Sequence, residues 1–238
     1  MKRLKNRMYY GGQDYTKLED EIGYKFKDKS LLDIAFTHKS YSNEYHLKKV
    51  PSYERFEFLG DAILEFVTSE TLFNKFPEKP EGQLTKLRAS LVCEMTLSQI
   101  SRNLHLGDYL YLSKGEMLTG GNNRSSILCD LFEAVLGAIY LDSGIDEAKK
   151  FVMRFLLDDI EAKAVYHDAK SILQEYSQKN SLELHYELIS ETGPDHNKSF
   201  TVAAVLNGKK CEVGTGHTMK AAEQEAAHRT ILMNGISI

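Results

Sequence analysis

The chain has 238 residues, with 30 Lys+Arg against 34 Asp+Glu, a formal net charge of −4, 42% hydrophobic and 27% charged residues. That is an ordinary globular composition, with volume for one large core or two small ones. The longest apolar run, Ala134 to Leu141, is far too short to span a membrane, and the start MKRLKNRMYY lacks the apolar segment of a signal peptide, so a cytoplasmic protein without membrane association is expected. Cys93, Cys129 and Cys211 are odd in number and form no CxxC pair, which argues against a disulfide framework and a thiolate zinc site; all three read as core filler. Residues 1–13 carry four cations and no acids, whereas residues 14–160 carry 18 Lys+Arg and 24 Asp+Glu. The basic tip could touch phosphate, although a short charged tail is also simply solvated.

In chain order, Tyr15 to Gly23 and Ser30 to His38 read as short helices, the second with Ser30 as N-cap. An irregular polar stretch follows and ends at Pro51. A long helix starts at Tyr53 and stops near Phe76, before Pro77 and Pro80; Glu81 to about Leu104 repeats a helical pattern. Gly107 to Asn123 is loop-like, Ser125 to Asp142 is helix again, and a helix from Asp146 to about Ala164 closes an all-α unit. Val165 to Asp168 is a short connection. Beyond it, Ser171 to Asn180 is helical, alternating strands follow at Leu184 to Leu188 and Phe200 to Leu206, and Asn207-Gly208 marks a hairpin before a third strand, Lys209 to Gly214. Thr218 to Met233 is helix. The fold expected is an all-α domain at 14–164 followed by a small α+β domain of order α-β-β-β-α at 168–238.

The long helix, YERFEFLGDAILEFVTSETLF, carries acids inside an apolar stretch. Glu54, Glu57 and Asp61 fall within about 60° of one another at roughly 100° per residue. Phe56, Phe58, Leu59, Ile63, Leu64, Phe66 and Val67 fill the rest of the circumference, which places Glu57 and Asp61 close to a core. Asp130 and Glu133 repeat the anomaly at i, i+3 in SSILCDLFEAVLGAIYLD. Gly60 and Gly137 sit mid-helix, where glycine costs about 1 kcal/mol relative to alanine, and suggest close helix approach.

Two helices that each bury a close acidic pair invite a hard divalent cation, and Mg²⁺ is the usual occupant where phosphates share the coordination sphere. The ligand set read this way is Glu57, Asp61, Asp130 and Glu133, and the chemistry is phosphodiester hydrolysis. On spacing alone, a salt-bridge network or a lined helix interface fits the same acids equally well. A di-iron bundle would need two Glu-x-x-His motifs; the one present, Glu225 to His228, lies in the other domain. No Ser or Cys nucleophile has a local signature.

The stretch ERFEFLGDAIL resembles the ERLEFLGDSVL signature of ribonuclease III, and ILCDLFEAVLGAIYLDSG resembles that family's second acidic helix; THKSY at 37–41 and EGQLTKLRASLV at 81–92 extend the likeness. The resemblance implies a homodimeric, Mg²⁺-dependent endonuclease with no small-molecule cofactor. Its substrate would be double-stranded RNA, its products 5′-phosphate ends with short 3′ overhangs, and its setting the processing of rRNA and other transcripts. Carried over by position, Glu57, Asp61, Asp130 and Glu133 match the metal ligands, with Asp61 and Glu133 the critical catalytic pair. Glu54 and Glu81 match accessory acids that help hold RNA, water or a second ion. Phe58 matches the aromatic side chain inserted into the partner subunit; from periodicity alone it reads as core. Ala62 and Cys129 replace the usual Ser and Ala, which puts no ligand in doubt. Glu65 matches no family acid and reads as solvated, and His38 reads as structural.

The second domain resembles a double-stranded RNA-binding domain, through SILQEYSQ, GPDHNKSF and GTGHTMKAAEQEAA. The resemblance implies that Gln174 and Glu175 reach one minor groove, that Pro194, Asp195 and His196 reach the next, and that the start of the last helix meets phosphate, since A-form RNA is read by shape. Met219-Lys220 stands where the family has paired lysines. Residues 168–238 hold seven Lys+Arg against nine Asp+Glu, so binding requires Lys198, Lys220 and Lys170 to gather on one face. The alternative reading is a protein that grips double-stranded RNA without cutting it.

Overall fold

Two long helices dominate the first of the chain's two units, residues 1–158 and 159–238, in a computed structural model that describes residues 12–45, 51–194 and 198–236. Most of the basic tip, residues 1–11, lies outside the described residues, as does the end of the polar stretch before Pro51, residues 46–50. The helices of the first unit are α1 (Thr16–Ile22), α2 (Ser30–Ala35), α3 (Lys39–Glu44), α4 (Glu54–Lys75), α5 (Glu81–Leu91), α6 (Glu94–Asn103), α7 (Lys114–Leu118), α8 (Ser125–Ser143) and α9 (Ile145–Phe155). Helices α4 and α8 form the centre. Leu64, Val67 and Leu72 of α4 and Leu131, Phe132, Val135, Leu136 and Ile139 of α8 are all buried. Each such side chain contributes about 1.5–3 kcal/mol relative to exposure. Phe151 of α9 covers the outer side, with its ring centroid 5.1 Å from that of Phe132.

The two mid-helix glycines explain how closely α4 and α8 cross. A Cβ on Gly60 would lie 1.9 Å from the Glu133 carbonyl oxygen, and one on Gly137 would lie 2.3 Å from the Phe56 carbonyl oxygen. No side chain fits at either position, so the backbones meet through a two-sided notch.

The structure departs from the expected elements in several places. The helix expected from Glu81 to Leu104 is two helices. Cys93 adopts extended backbone as the N-cap of α6, and the Ser90 carbonyl accepts from Cys93 Sγ at 3.3 Å and Thr96 Oγ1 at 3.3 Å, which ends α5. Ser30 does not cap α2. Asp28 does so from outside, accepting from Ser30 N at 3.1 Å and Ser30 Oγ at 2.6 Å. Helix α2 stops at Ala35, because Thr37 pairs with Tyr111 in an isolated parallel bridge. Helices α3 and α7, too short for an apolar period to show, occupy stretches expected to be irregular.

The second unit consists of α10 (Ile160–Lys179), β1 (Leu184–Thr192), β2 (Ser199–Leu206), β3 (Lys209–Gly216) and α11 (Met219–Met233), with an antiparallel sheet in the order β1-β2-β3. Asn207 and Gly208 have φ of 47° and 73°, the paired left-handed conformation of a tight hairpin turn. Helix α11 lies close on the sheet because its contact stripe is alanine: Ala222, Ala226 and Ala227 are fully buried, and a Cβ on Gly214 would come within 2.2 Å of Ala226 N. The short connection expected at Val165 to Asp168 is helical and interior to α10. No Gly or Pro interrupts 160–179, and Ala164, Ala169 and Leu173 bury one face across it.

Replacing Gly60 with Ala tests the notch. Helix propensity favours alanine by about 1 kcal/mol, whereas a Cβ driven into backbone opposes it by about 1–3 kcal/mol or more. The expected outcome is net destabilisation of the first unit and a lower Tm in thermal unfolding; a stabilised variant would show that the helices can separate without loss.

Candidate active site

Asp130 and Glu133 project from α8, and Glu57 from α4, where the glycine notch brings the helices together. One carboxylate oxygen from each of Glu57, Asp130 and Glu133 lies within 4.8 Å of the others. All three side chains are half-buried, and each carboxyl is held above its ordinary range. Burial pushes Glu133 up to about 8, reinforced by the charges of Asp61, Glu57 and Asp130. Burial also raises Glu57 to about 6, with Asp130 and Glu54 adding to it and Lys39 opposing. Asp130 is raised by burial and partly restored by the hydrogen bond from Tyr53. Three carboxylates this close repel one another. The donor set, all oxygen, half-buried and mutually close, fits a hard divalent ion.

Asp61, expected close to a core, is exposed, one turn along α4 from Glu57. It is not one of the three converging groups, yet its charge is the foremost electrostatic influence on Glu133. Glu54 is exposed at the start of α4, where Lys39 Nζ lies 3.2 Å from Oε1 and Ser52 Oγ donates to Oε2 at 3.3 Å. Glu81 stands apart, exposed on the first turn of α5 and accepting from Thr85 Oγ1 at 2.8 Å. Glu65 is not simply solvated: Arg88 Nε reaches its Oε2 at 2.7 Å.

Sequence reasoning missed Tyr53. Its backbone N–H donates to the Thr37 carbonyl at 2.9 Å, and its hydroxyl donates to Asp130 Oδ2 at 3.2 Å. Burial raises the phenol and keeps it a donor. The signal was present, a tyrosine opening the acidic helix, but nothing local distinguishes it from core. His38 packs on Tyr53 with ring centroids 5.6 Å apart. Ser40 N donates to His38 Nδ1 at 3.2 Å, so Nδ1 accepts and the neutral ring carries its proton on Nε2. Burial lowers its pKa. The cysteines are partly exposed and free rather than core, and Cys129, pushed up to about 12 by burial and then by Glu133, remains a thiol.

Phe58 is 79% exposed and so is not core. With Ala62, Phe66 and Phe73 it forms an exposed stripe on α4. Phe66 was expected among the buried residues; it falls on the side of α4 away from α8.

In the second unit, Gln174 and Glu175 are exposed on α10, and Pro194 is exposed after β1. Asp195 and His196 lie outside the described residues. Lys198 Nζ lies 2.6 Å from Glu191 Oε1, and Lys220 is exposed on the first turn of α11 with Met219 half-buried beside it. Lys170 does not join a basic face with them. It pairs with Glu223 across the α10–α11 contact and sits over the Tyr186 ring at 5.0 Å.

Residues 28–160 match the family model described as Ribonuclease-III-like, and residues 169–233 match the double-stranded RNA binding motif. The chain is 46% identical to ribonuclease 3 of Enterococcus faecalis over 91% of its length and 95% of that protein's. It is 43% identical to ribonuclease 3 of Listeria monocytogenes over 91% of its length and 96% of that protein's. Among solved structures it is similar to the nuclease domain of ribonuclease III from Campylobacter jejuni, at 44% identity and a TM-score of 0.57, covering 61% of this chain and 98% of that one. That structure is described as flexible in a region involved in dimer formation. Matched through both units, with an acidic cluster suited to a divalent metal in the first and an α-β-β-β-α fold in the second, this chain belongs to the ribonuclease III family.

Proposed function

We propose that the protein is a Mg²⁺-dependent endoribonuclease that hydrolyses double-stranded RNA, leaves 5′-phosphate ends and short 3′ overhangs, and serves the processing of rRNA and other transcripts. The observation that carries this reading is the convergence of Glu57, Asp130 and Glu133 within 4.8 Å in a chain whose full-length relatives are ribonucleases. When bound, Mg²⁺ supplies a water of lowered pKa and neutralises charge on the scissile phosphate. The chain's own residues hold and orient. Glu57, Asp130 and Glu133 supply converging oxygens, Tyr53 fixes the Asp130 carboxylate, and Asp61, whose charge acts on Glu133, completes the ligand set from the solvent side. Glu54, at the start of α4, and Glu81, from α5, act as accessory acids that help hold RNA, water or a second ion.

The nuclease domain, expected at 14–164, gives way to the RNA-binding domain, expected at 168–238, ahead of α10, where the chain divides into its two units at 158–159; in the second, Gln174, Glu175, Pro194, Asp195, His196, Lys198 and Lys220 contact the duplex. Nuclease units act as a homodimer through the exposed stripe of α4, so that two centres face one duplex. Phe58 is its anchor, since an apolar side chain 79% exposed is costly in water and ready to be buried by a second copy.

Long duplex RNA incubated with the protein and Mg²⁺ should be cut to short duplexes. Glu133→Gln and Asp61→Asn should each abolish cleavage and leave binding within a few fold. Intact RNA beside a clear gel shift with the unaltered protein would leave only the binding reading.

A second expectation concerns stability. Glu133 has a folded pKa raised from 4.5 to about 8, so the protonated form is favoured by folding. The stability it contributes is complete below its unfolded pKa and is lost as pH rises through the folded one. The Tm of the metal-free protein should therefore fall across this window, added Mg²⁺ should restore it at the alkaline end, and Glu133→Gln should flatten the slope. An equal slope in the variant would assign the pH dependence to other groups.

Truncating an interface anchor costs about 2 kcal/mol or more, and a two-fold interface carries the anchor twice. Phe58→Ala should thus shift the protein toward monomer in sedimentation or light scattering, at unchanged helical content. An unchanged dimer would place the interface elsewhere.

A further inference from the structure

Beside the carboxylates runs a groove of about 690 Å³ between α3, the start of α4, α7 and the start of α8. Glu57 and Asp130 are among the residues that line it. The groove also presents two cations that the metal-binding set does not use, Lys39 and Arg124. Each is held by a carboxylate outside the metal-binding set. Lys39 Nζ lies 3.2 Å from Glu54 Oε1, and Arg124 pairs with Glu116 while its NH2 group donates to Thr119 Oγ1 at 3.2 Å. Both cations remain accessible, with 64% and 45% of their side chains exposed.

An RNA strand that brings its scissile phosphate to Glu57, Asp130 and Glu133 carries neighbouring phosphates into the groove with it. A metal among the carboxylates neutralises charge at the scissile phosphate alone, and the neighbours meet acidic walls. Exposed ion pairs are worth only about 0–1 kcal/mol, so exchanging a carboxylate for a phosphodiester costs little. Arginine suits the exchange because its planar fork matches two phosphate oxygens, and lysine serves as a point charge.

We infer that Lys39 and Arg124 grip the phosphates flanking the scissile one, each handed over from its carboxylate, Glu54 or Glu116, as double-stranded RNA enters the groove. Glu54 and Glu116 then act as place-holders that keep the two cations extended into the groove when no RNA is bound. The inference rests on the reading of the three carboxylates as the cleavage centre.

The test uses the full chain and a defined duplex RNA. Affinity is measured in Ca²⁺ across a salt series, and KM and kcat are measured in Mg²⁺. Lys39→Gln and Arg124→Gln should each weaken binding by roughly tenfold at moderate salt, raise KM more than they lower kcat, and flatten the plot of log affinity against log salt by about 0.9, the value of one phosphate contact on duplex DNA. Glu116→Gln breaks the same ion pair as Arg124→Gln but leaves the guanidinium free, so it should tighten RNA binding by a few fold. Opposite effects of these two variants support the inference. Parallel losses would show that the pair is merely structural, and unchanged salt slopes in Lys39→Gln and Arg124→Gln would overturn it outright. Failure of the unaltered protein to cut RNA would count against the nuclease reading alone, because the salt slopes are measured without cleavage.

Discussion

The close crossing of α4 and α8 is the constraint on which the first unit depends. Gly60 faces the Glu133 carbonyl, and Gly137 faces the Phe56 carbonyl, so each glycine admits the backbone of the residue at or beside an acid. A crossing widened by one methyl on either helix would carry Glu57 away from Asp130 and Glu133. The notch therefore does two things at once. It packs the core tightly, and it forces like charges into mutual reach at a half-buried place. Burial and repulsion together lift Glu133 to about 8 and Glu57 to about 6, so the site stores instability that a divalent cation relieves.

A second layer keeps the acids in register. Tyr53 is tied at both ends, through its amide to Thr37 and through its hydroxyl to Asp130. Thr37 belongs to the extended segment paired with Tyr111, and the next residue, His38, donates its backbone N–H to the Tyr111 carbonyl at 3.1 Å while its ring caps α3. The beginning of α4 is thus anchored to α8 through a side chain and to the α2–α3 connection through backbone. This rigidity matters because a divalent ion held among three carboxylates, as proposed, would tolerate little displacement of any of them.

How much of this is legible in the sequence differs by type of information. Apolar periodicity marked α4 and α8, and the glycine cost within them pointed to the crossing, because both are local signals with one physical cause. The acids stood out because carboxylates within apolar helices are rare. The break at Val92–Cys93 was not legible: it depends on side chains at 93 and 96 diverting one carbonyl at 90, against an apolar pattern that continues through it. Tyr53 and the Arg124–Glu116 pair were missed for a related reason. Their partners are distant in sequence or lie in a short helix without periodicity, and only the folded chain brings them together. Asp61 was placed too deep because helical phase locates a face but not how much of that face a neighbouring helix covers.

Charge in the second unit follows a different logic from charge in the first. With seven cations and nine acids in residues 168–238, no broad positive field draws RNA in. Lys170, Lys198, Lys210 and Arg229 each pair with a glutamate. Such pairs hold their long side chains in place but contribute little energy in water, so they leave recognition to the shape of the surface. That surface is set by the alanine stripe of α11 and by Gly214, which together let the helix lie close on the sheet and fix its place beside α10. A duplex of A-form geometry offers its minor grooves and phosphate ridges at fixed spacing whatever its sequence. A rigid frame with few net charges reads that spacing and is less prone than a basic one to hold any polyanion that passes, which suits a unit tethered to a centre able to cut what it holds.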